Sequence, residues 1–393
     1  MERVGAPASH NLNTRYLVSF SFILIPMTIL GMAEILGLTQ IASVMNKQQQ
    51  KQWSNDAPLP ASMAEKKQPY NYDPSPLERY FLDNAKSLDL YNTSGVATCP
   101  IVINDTSPVN TEMLHYFDQL QAYNTAVNHF QPIPSDLRTQ ILPDGSNIEE
   151  VCEATKLHPQ GLSGIFVNNG ISSSSDAGGM EPLLPMMRST KMCGNYTKPN
   201  LMSLDYLIHD FHSICKRLRR HTRTVFVDMG ASLAFHNRLD SPAVYINKIY
   251  RKFGIHFDHI YAYEITPTKP EDAYAKVPEE LMSSFHWINL GVDPTPGAKM
   301  NPFTTVVKNF NEDDFVVVKL DIDTPAIEHV LADQLRTDDD ILKIVDVFYY
   351  EHHVMQTELL ADWKASARGG TVGESLDLMS DIRQKGVAAH YWP

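Results

Sequence analysis

The stretch FVVVKLDIDTPAIEHVL, Phe315 to Leu331, decides how the second half of the chain is read. Its first residues are apolar or β-branched with little alternation, the pattern of a strand buried on both faces. The run ends in Asp321 and Asp323, passes Thr324 and Pro325, and resumes with helical spacing, so a helix is predicted over 325–335. Strand, acid-bearing turn and helix in that order make half of a parallel βαβ unit. Five other runs share the texture: TVFVD (224–228), HIYAYE (259–264), FHWINLGV (285–292), VDVFYYE (345–351) and VAAHYW (387–392). Helices are predicted between them over 243–253 and 374–385, the latter stopped by Gly386. The fold class is therefore α/β: a doubly wound, Rossmann-like sheet covered on both faces and occupying 201–393.

Upstream the composition changes. Residues 1–15 form a short tail, and Tyr16 to Ala33 carry no charge, with ILGL resuming after Glu34. A transmembrane signal anchor is predicted over 16–38, since no small-x-small cleavage site follows closely. Arg3 and Arg15 on one side and Lys47 and Lys51 on the other leave its orientation open. Residues 39–76, rich in Gln, Lys and Pro, read as a stem. Residues 77–200 read as a mixed, mainly helical accessory region. TEMLHYFDQLQAYNTAVNHF (111–130) has helical spacing there, and GISSSSDAGGMEPLLP (170–185) reads as a flexible loop. Leu204, Leu207, Ile208, Phe211, Cys215 and Leu218 then fall on one helical stripe, predicting an amphipathic helix over 204–218.

A net charge of −13 gives a nucleic-acid partner no support from the chain as a whole. The one basic run, KRLRRHTR (216–223), reads as the solvated end of a helix. Cys99, Cys152, Cys193 and Cys215 are an even set, open to three pairings and suited to an oxidising lumen. Sequons at Asn92, Asn104 and Asn195 cluster before the α/β region. Anchor, stem, cysteines and sequons together predict a single-pass membrane protein of the secretory pathway, Golgi in type, with a lumenal C-terminal body.

Ligands of doubly wound sheets bind outside the carboxyl ends of the strands. Asp228, Glu264, Asp321 with Asp323, and Glu351 all fall at such ends. Gly230, in VFVDMGAS (225–232), allows close approach of backbone to a ligand. Glu264 is placed to accept two hydrogen bonds from a ribose diol. His352 or His353, beside Glu351, offers an imidazole base. The DID and EHH clusters could together hold a divalent ion if their strands are neighbours, although no metal is assigned.

VDMGAS, YAYEITP, INLGVDPTPG, VVVKLDIDTPAIEHVL and FYYEHH occur in the order of the strand-end motifs of FkbM-type S-adenosylmethionine-dependent methyltransferases, which the chain resembles from about Thr222 onward. The closing SLDLMSDIRQKGVAAHYWP is similar to the end of methyltransferase-like membrane proteins of plants and algae. The resemblance implies that S-adenosylmethionine binds along Asp228, Gly230 and Ser232, with Glu264 on the ribose and Asp293 near the adenine. Asp321, Asp323, Glu351 and His352 would form the catalytic, acceptor-side wall. A glycan or other small hydroxyl compound is the implied acceptor. The chain departs from the family at Ala234, where a second glycine is usual, and at Thr324 and Ala326 after the fourth strand.

Two other functions fit some of these residues. A type II glycosyltransferase would use Asp321 and Asp323 as a metal-binding D-x-D, but leaves VDMGAS and YAYEITP without a role. A non-catalytic protein that kept the fold would tolerate the altered glycine loop.

Overall fold

The computed structural model describes residues 72–93, 95–157, 179–233, 241–305, 307–354 and 369–393. The predicted tail, the anchor over 16–38, the stem as far as residue 71 and Ala234 lie outside these residues. Among the described residues no helix is long and apolar enough to cross a membrane.

Six strands form one sheet: β1 (Thr224–Met229), β2 (His259–Tyr263), β3 (Phe285–Ile288), β4 (Phe315–Leu320), β5 (Val345–Tyr350) and β6 (Ala388–Tyr391). Their spatial order is β3-β2-β1-β4-β5-β6, and every neighbouring pair is parallel. The order reverses between β1 and β4, which sets the switch point of a doubly wound fold. All six predicted strands are present. β1, β4 and β5 are buried at every residue, which is why their sequences are apolar without alternation.

The longer helices are α1 (Pro76–Asn84), α2 (Asn110–His129), α3 (Phe211–Arg217), α4 (Pro242–Lys252), α5 (Pro325–Thr337) and α6 (Val372–Gln384). Proline opens α4 and α5, where its missing N–H is not needed. α6 starts in a capping box formed by Thr371 and Glu374 and is followed by Gly386 at φ +94°. These three helices lie where 243–253, 325–335 and 374–385 were predicted, and α2 covers the helical pattern at 111–130.

The helix predicted over 204–218 is shorter than its stripe. Only α3 is helical, because the Asp210 side chain accepts from Ser213 N and caps the helix there. Upstream, Ile208 N donates to Glu181 Oε2 and His209 N to Tyr123 Oη, so the backbone is satisfied without a helix. Leu204, Leu207 and Ile208 are nonetheless buried, so the stripe reported burial rather than helix. The basic run is also less solvated than predicted. Arg217 pairs at 2.8 Å with Asp346, which is wholly buried, and Arg223 pairs with Asp314.

The disulfides are Cys99–Cys193 and Cys152–Cys215. The second joins the short helix Ile148–Glu153 to α3. One hydrophobic cluster runs from Leu77 to Trp392, so the upstream helices and the sheet share a core within residues 65–393. From the predicted loop 170–185, Gly179 to Pro185 are described, and Glu181, Leu183 and Leu184 are buried there.

Candidate functional site at the carboxyl ends of β4 and β5

The register brings the strand tips level. Met229 lies opposite Tyr263 and Leu320, Leu320 opposite Tyr350, and Tyr350 opposite Tyr391. The next residue of each strand therefore forms a rim: Glu264, Gly230, Asp321, Glu351 and Trp392 in spatial order. Two rows below the rim, Asp228, Lys319, Tyr349 and His390 are paired neighbours. Side chains two residues apart share a sheet face, so Lys319 lies beside both Asp228 and Asp321. Its Nζ is 3.1 Å from Asp228 Oδ1, 3.0 Å from Asp321 Oδ2 and 3.2 Å from the Gly230 carbonyl. Lys319 and Asp228 are wholly buried. Burial alone would favour neutral Lys319, but the two carboxylates override it and raise its pKa. Burial raises the Asp228 carboxyl, and Lys319 opposes that rise.

Gly230 has φ +86°, and a Cβ there would lie 1.6 Å from the Asp321 carbonyl oxygen. The β4 turn thus fills the space beside this glycine, and no other residue fits. The N–H groups of Gly230 and Ala231 both donate to the Tyr263 carbonyl, at 3.0 and 2.8 Å, which pins the β1 loop to the tip of β2. Glu264 follows immediately, half-buried, and accepts from Thr266 N at 2.6 Å. Ser232 is exposed on the same loop. Asp293 is half-buried in its own turn, where hydrogen bonding by Thr295 N lowers its pKa.

The acids after β4 diverge. Asp321 is shielded, its side chain 15 % exposed, whereas that of Asp323 is 78 % exposed. The strand ends at Leu320 and Asp323 sits at φ +54°, so period two no longer applies between them. Burial holds the Asp321 carboxyl well above the usual range, and it hydrogen-bonds Glu351. Burial also acts to raise Glu351, but His353 and Arg188 overcome it and keep the carboxylate well below its ordinary value. Arg188 reaches Glu351 Oε1 at 2.8 Å from the upstream region.

After β5 the alternation persists and separates the two histidines. His352 does not join Glu351. Its Nδ1 meets Ser375 Oγ at 2.8 Å, its Nε2 lies 3.4 Å from His329 Nε2, and burial pushes its pKa down to about 3. His353 shares the side of Glu351. Its Nε2 is 3.4 Å from Glu351 Oε2 and 3.5 Å from Asp323 Oδ1, while its Nδ1 donates to Glu328 Oε2 at 2.7 Å. Burial would lower the imidazolium, but Asp323, Glu328 and Glu351 together push it up to about 12. The ligand atoms of Asp323, Glu351 and His353 all lie within 4.8 Å of one another, and β4 and β5 are adjacent, the condition under which DID and EHH could share an ion.

Lys319, Glu328, His353 and Arg188 thus join the site beside the predicted residues. Lys319 was visible as the lone charge inside an apolar strand, two residues before Asp321. Glu328 was visible on the stripe with Leu331, Ala332 and Leu335, the buried face of α5. Nothing local marked Arg188, which comes from 163 residues before its partner. No family model, no curated protein and no solved structure matches the chain.

Proposed function

We propose that the chain is an S-adenosylmethionine-dependent methyltransferase acting on a hydroxyl acceptor, a glycan or other small oxygen compound. The observation that carries this reading is the junction of the β1 loop with the tip of β2. Gly230 and Ala231 bond the carbonyl just before Glu264, so loop and carboxylate lie side by side next to the switch point. That is where doubly wound folds seat a nucleoside, with an acid on the ribose. Glu264 would hold the ribose, Ser232 would lie along the cofactor, and Asp293 would border the adenine. S-adenosylmethionine, when bound, supplies an electrophilic methyl group. The protein's part is then to align an acceptor oxygen for in-line attack and exclude water. Asp321 and Glu351 form the wall behind that oxygen, and exposed Asp323 faces the mouth. The two disulfides and the exposed Asn92, Asn104 and Asn195 support a lumenal setting within the secretory pathway.

The test is calorimetric titration of the full-length chain with S-adenosylmethionine and with S-adenosylhomocysteine, in the presence of EDTA. Binding of either, weakened at least tenfold by Glu264→Ala, is the expected result. Absence of binding by both, with a nucleotide sugar binding only alongside Mn²⁺, would replace this reading with the glycosyltransferase one.

A further inference from the structure

We propose that Asp323, Glu351 and His353 bind one divalent transition-metal ion, of the Mn²⁺ or Zn²⁺ class, at the carboxyl ends of β4 and β5. The site goes beyond the methyl-transfer reading and does not need it.

The first argument is spacing. An ordinary N–H···O hydrogen bond has its atoms about 2.9 Å apart. Here the Nε2 of His353 is 3.4 Å from one carboxylate oxygen and 3.5 Å from another. Bonds of about 2.1 Å to a tetrahedral ion place neighbouring ligand atoms about 3.4 Å apart. Both His353 spacings match that edge, and the carboxylate oxygens of Asp323 and Glu351 lie within 4.8 Å of each other.

The second argument is orientation. Each buried ligand has its other polar atom fixed by a separate partner. Glu328 Oε2 accepts from His353 Nδ1, and Glu328 Oε1 in turn accepts from Ile322 N at 2.9 Å. Arg188 takes Glu351 Oε1. His353 Nε2, Glu351 Oε2 and Asp323 Oδ1 then face one another across the tips of β4 and β5. A carboxylate that orients a histidine so that its second nitrogen faces an ion is the usual outer-shell arrangement of metal sites.

The third argument is charge. Nε2 of His353 faces the carboxylates of Glu351 and Asp323, so the protonated imidazole is the cation between them. Glu328, Glu351 and His353 are each at most 5 % exposed. A divalent ion that displaces the Nε2 proton supplies two positive charges where the imidazolium supplied one, at the point where three ligand atoms converge. One nitrogen and two carboxylate oxygens suit Mn²⁺ or Zn²⁺ better than Mg²⁺ or Ca²⁺, which take oxygen alone. Exposure of Asp323 leaves the ion's remaining positions open toward solvent, where water or an acceptor oxygen would bind.

The experiment uses the tag-free full-length chain, stripped with EDTA, dialysed, and titrated calorimetrically with MnCl₂ and separately with ZnCl₂. We expect one ion per chain for at least one of the two. Asp323→Asn should weaken binding at least tenfold. Because its side chain is exposed, the variant should melt at the parent's temperature in EDTA. Asp313→Asn, the same charge change at an exposed site before the opposite end of β4, should bind like the parent. No uptake by the stripped parent would overturn the proposal, as would equal uptake by parent and Asp323→Asn. Donor binding in EDTA is measured separately, so either proposal can fail without the other.

Discussion

Lys319 sits in the middle of a strand whose other residues are apolar, and its ammonium is wholly buried between Asp228 and Asp321. The same three groups were on the page as sequence, but only pairing of β4 with β1 makes them one unit. Strand alternation places Lys319 and Asp321 on one face. The same rule does not carry on to Asp323, because the backbone leaves the strand after Leu320. Glu351, His352 and His353 show the opposite case: alternation continues past the strand and selects His353 for the site. A buried charge stripped of its partner costs far more than the pair contributes. Lys319→Met leaves two enclosed carboxylates without their cation and should destabilise the fold by about 3–5 kcal/mol in urea unfolding. Adding Asp228→Asn should recover part of that loss by removing one of the stranded charges. A single variant as stable as the parent would show that Lys319 does not hold the β1 and β4 tips together.

Elements were legible where local patterning and burial agree. The six strands and the helices after β1, β4 and before β6 are set by unbroken apolar runs, prolines at helix starts and a capping box, all local signals. Two features were hidden because they depend on pairing. β5 contains Asp346 although every residue of that strand is buried. A register shift between Val316 and Val317 accommodates it, and its carboxylate accepts from Val316 N and pairs with Arg217. α3 is the other: its apolar stripe extends seven residues upstream, but Asp210 caps the helix. The disulfide between α3 and the helix Ile148–Glu153 has a sequence separation of 63 residues. Closing a loop of that length restricts the unfolded chain by about 4 kcal/mol in the chain-entropy account. The double variant Cys152→Ser/Cys215→Ser should therefore unfold at lower urea concentration, with most of that stability gone. An unchanged urea midpoint would mean that packing around α3 suffices without the crosslink.

Across the whole molecule, the upstream helices are joined to the last strand through buried charge. Glu78 on α1 lies 3.3 Å from Arg383 on α6, which donates to the Ala389 carbonyl of β6 and to the Glu181 carbonyl. Tyr72 bonds Glu78 as well, and Glu181 bonds His390 at 2.7 Å. The links Glu78–Arg383 and Glu181–His390 were not readable locally, since their partners are 305 and 209 residues apart. It gives the fold a pH dependence whose sign can be worked out. Burial raises the Glu78 carboxyl from 4.5 to about 7, with Arg383 and Arg79 opposing the rise and Glu181 adding to it. A carboxyl with a raised folded pKa binds its proton more tightly when folded. Its contribution is most favourable below pH 4.5, declines as pH rises from 4.5 to 7, and is constant above. Each pKa unit corresponds to about 1.4 kcal/mol, so the decline is on the order of 3 kcal/mol. His209 acts in the opposite sense. Burial and His390 hold it well below 6.5, so it loses stability as pH falls through that value. The diagnostic is therefore the difference between parent and Glu78→Gln, which keeps the side chain's size and removes its titration. The variant should gain stability relative to the parent as pH is raised from 4.5 to 7, in melts at matched ionic strength. A difference that stays constant across that interval would place the ionised form of Glu78, rather than the neutral one, in the folded core throughout it.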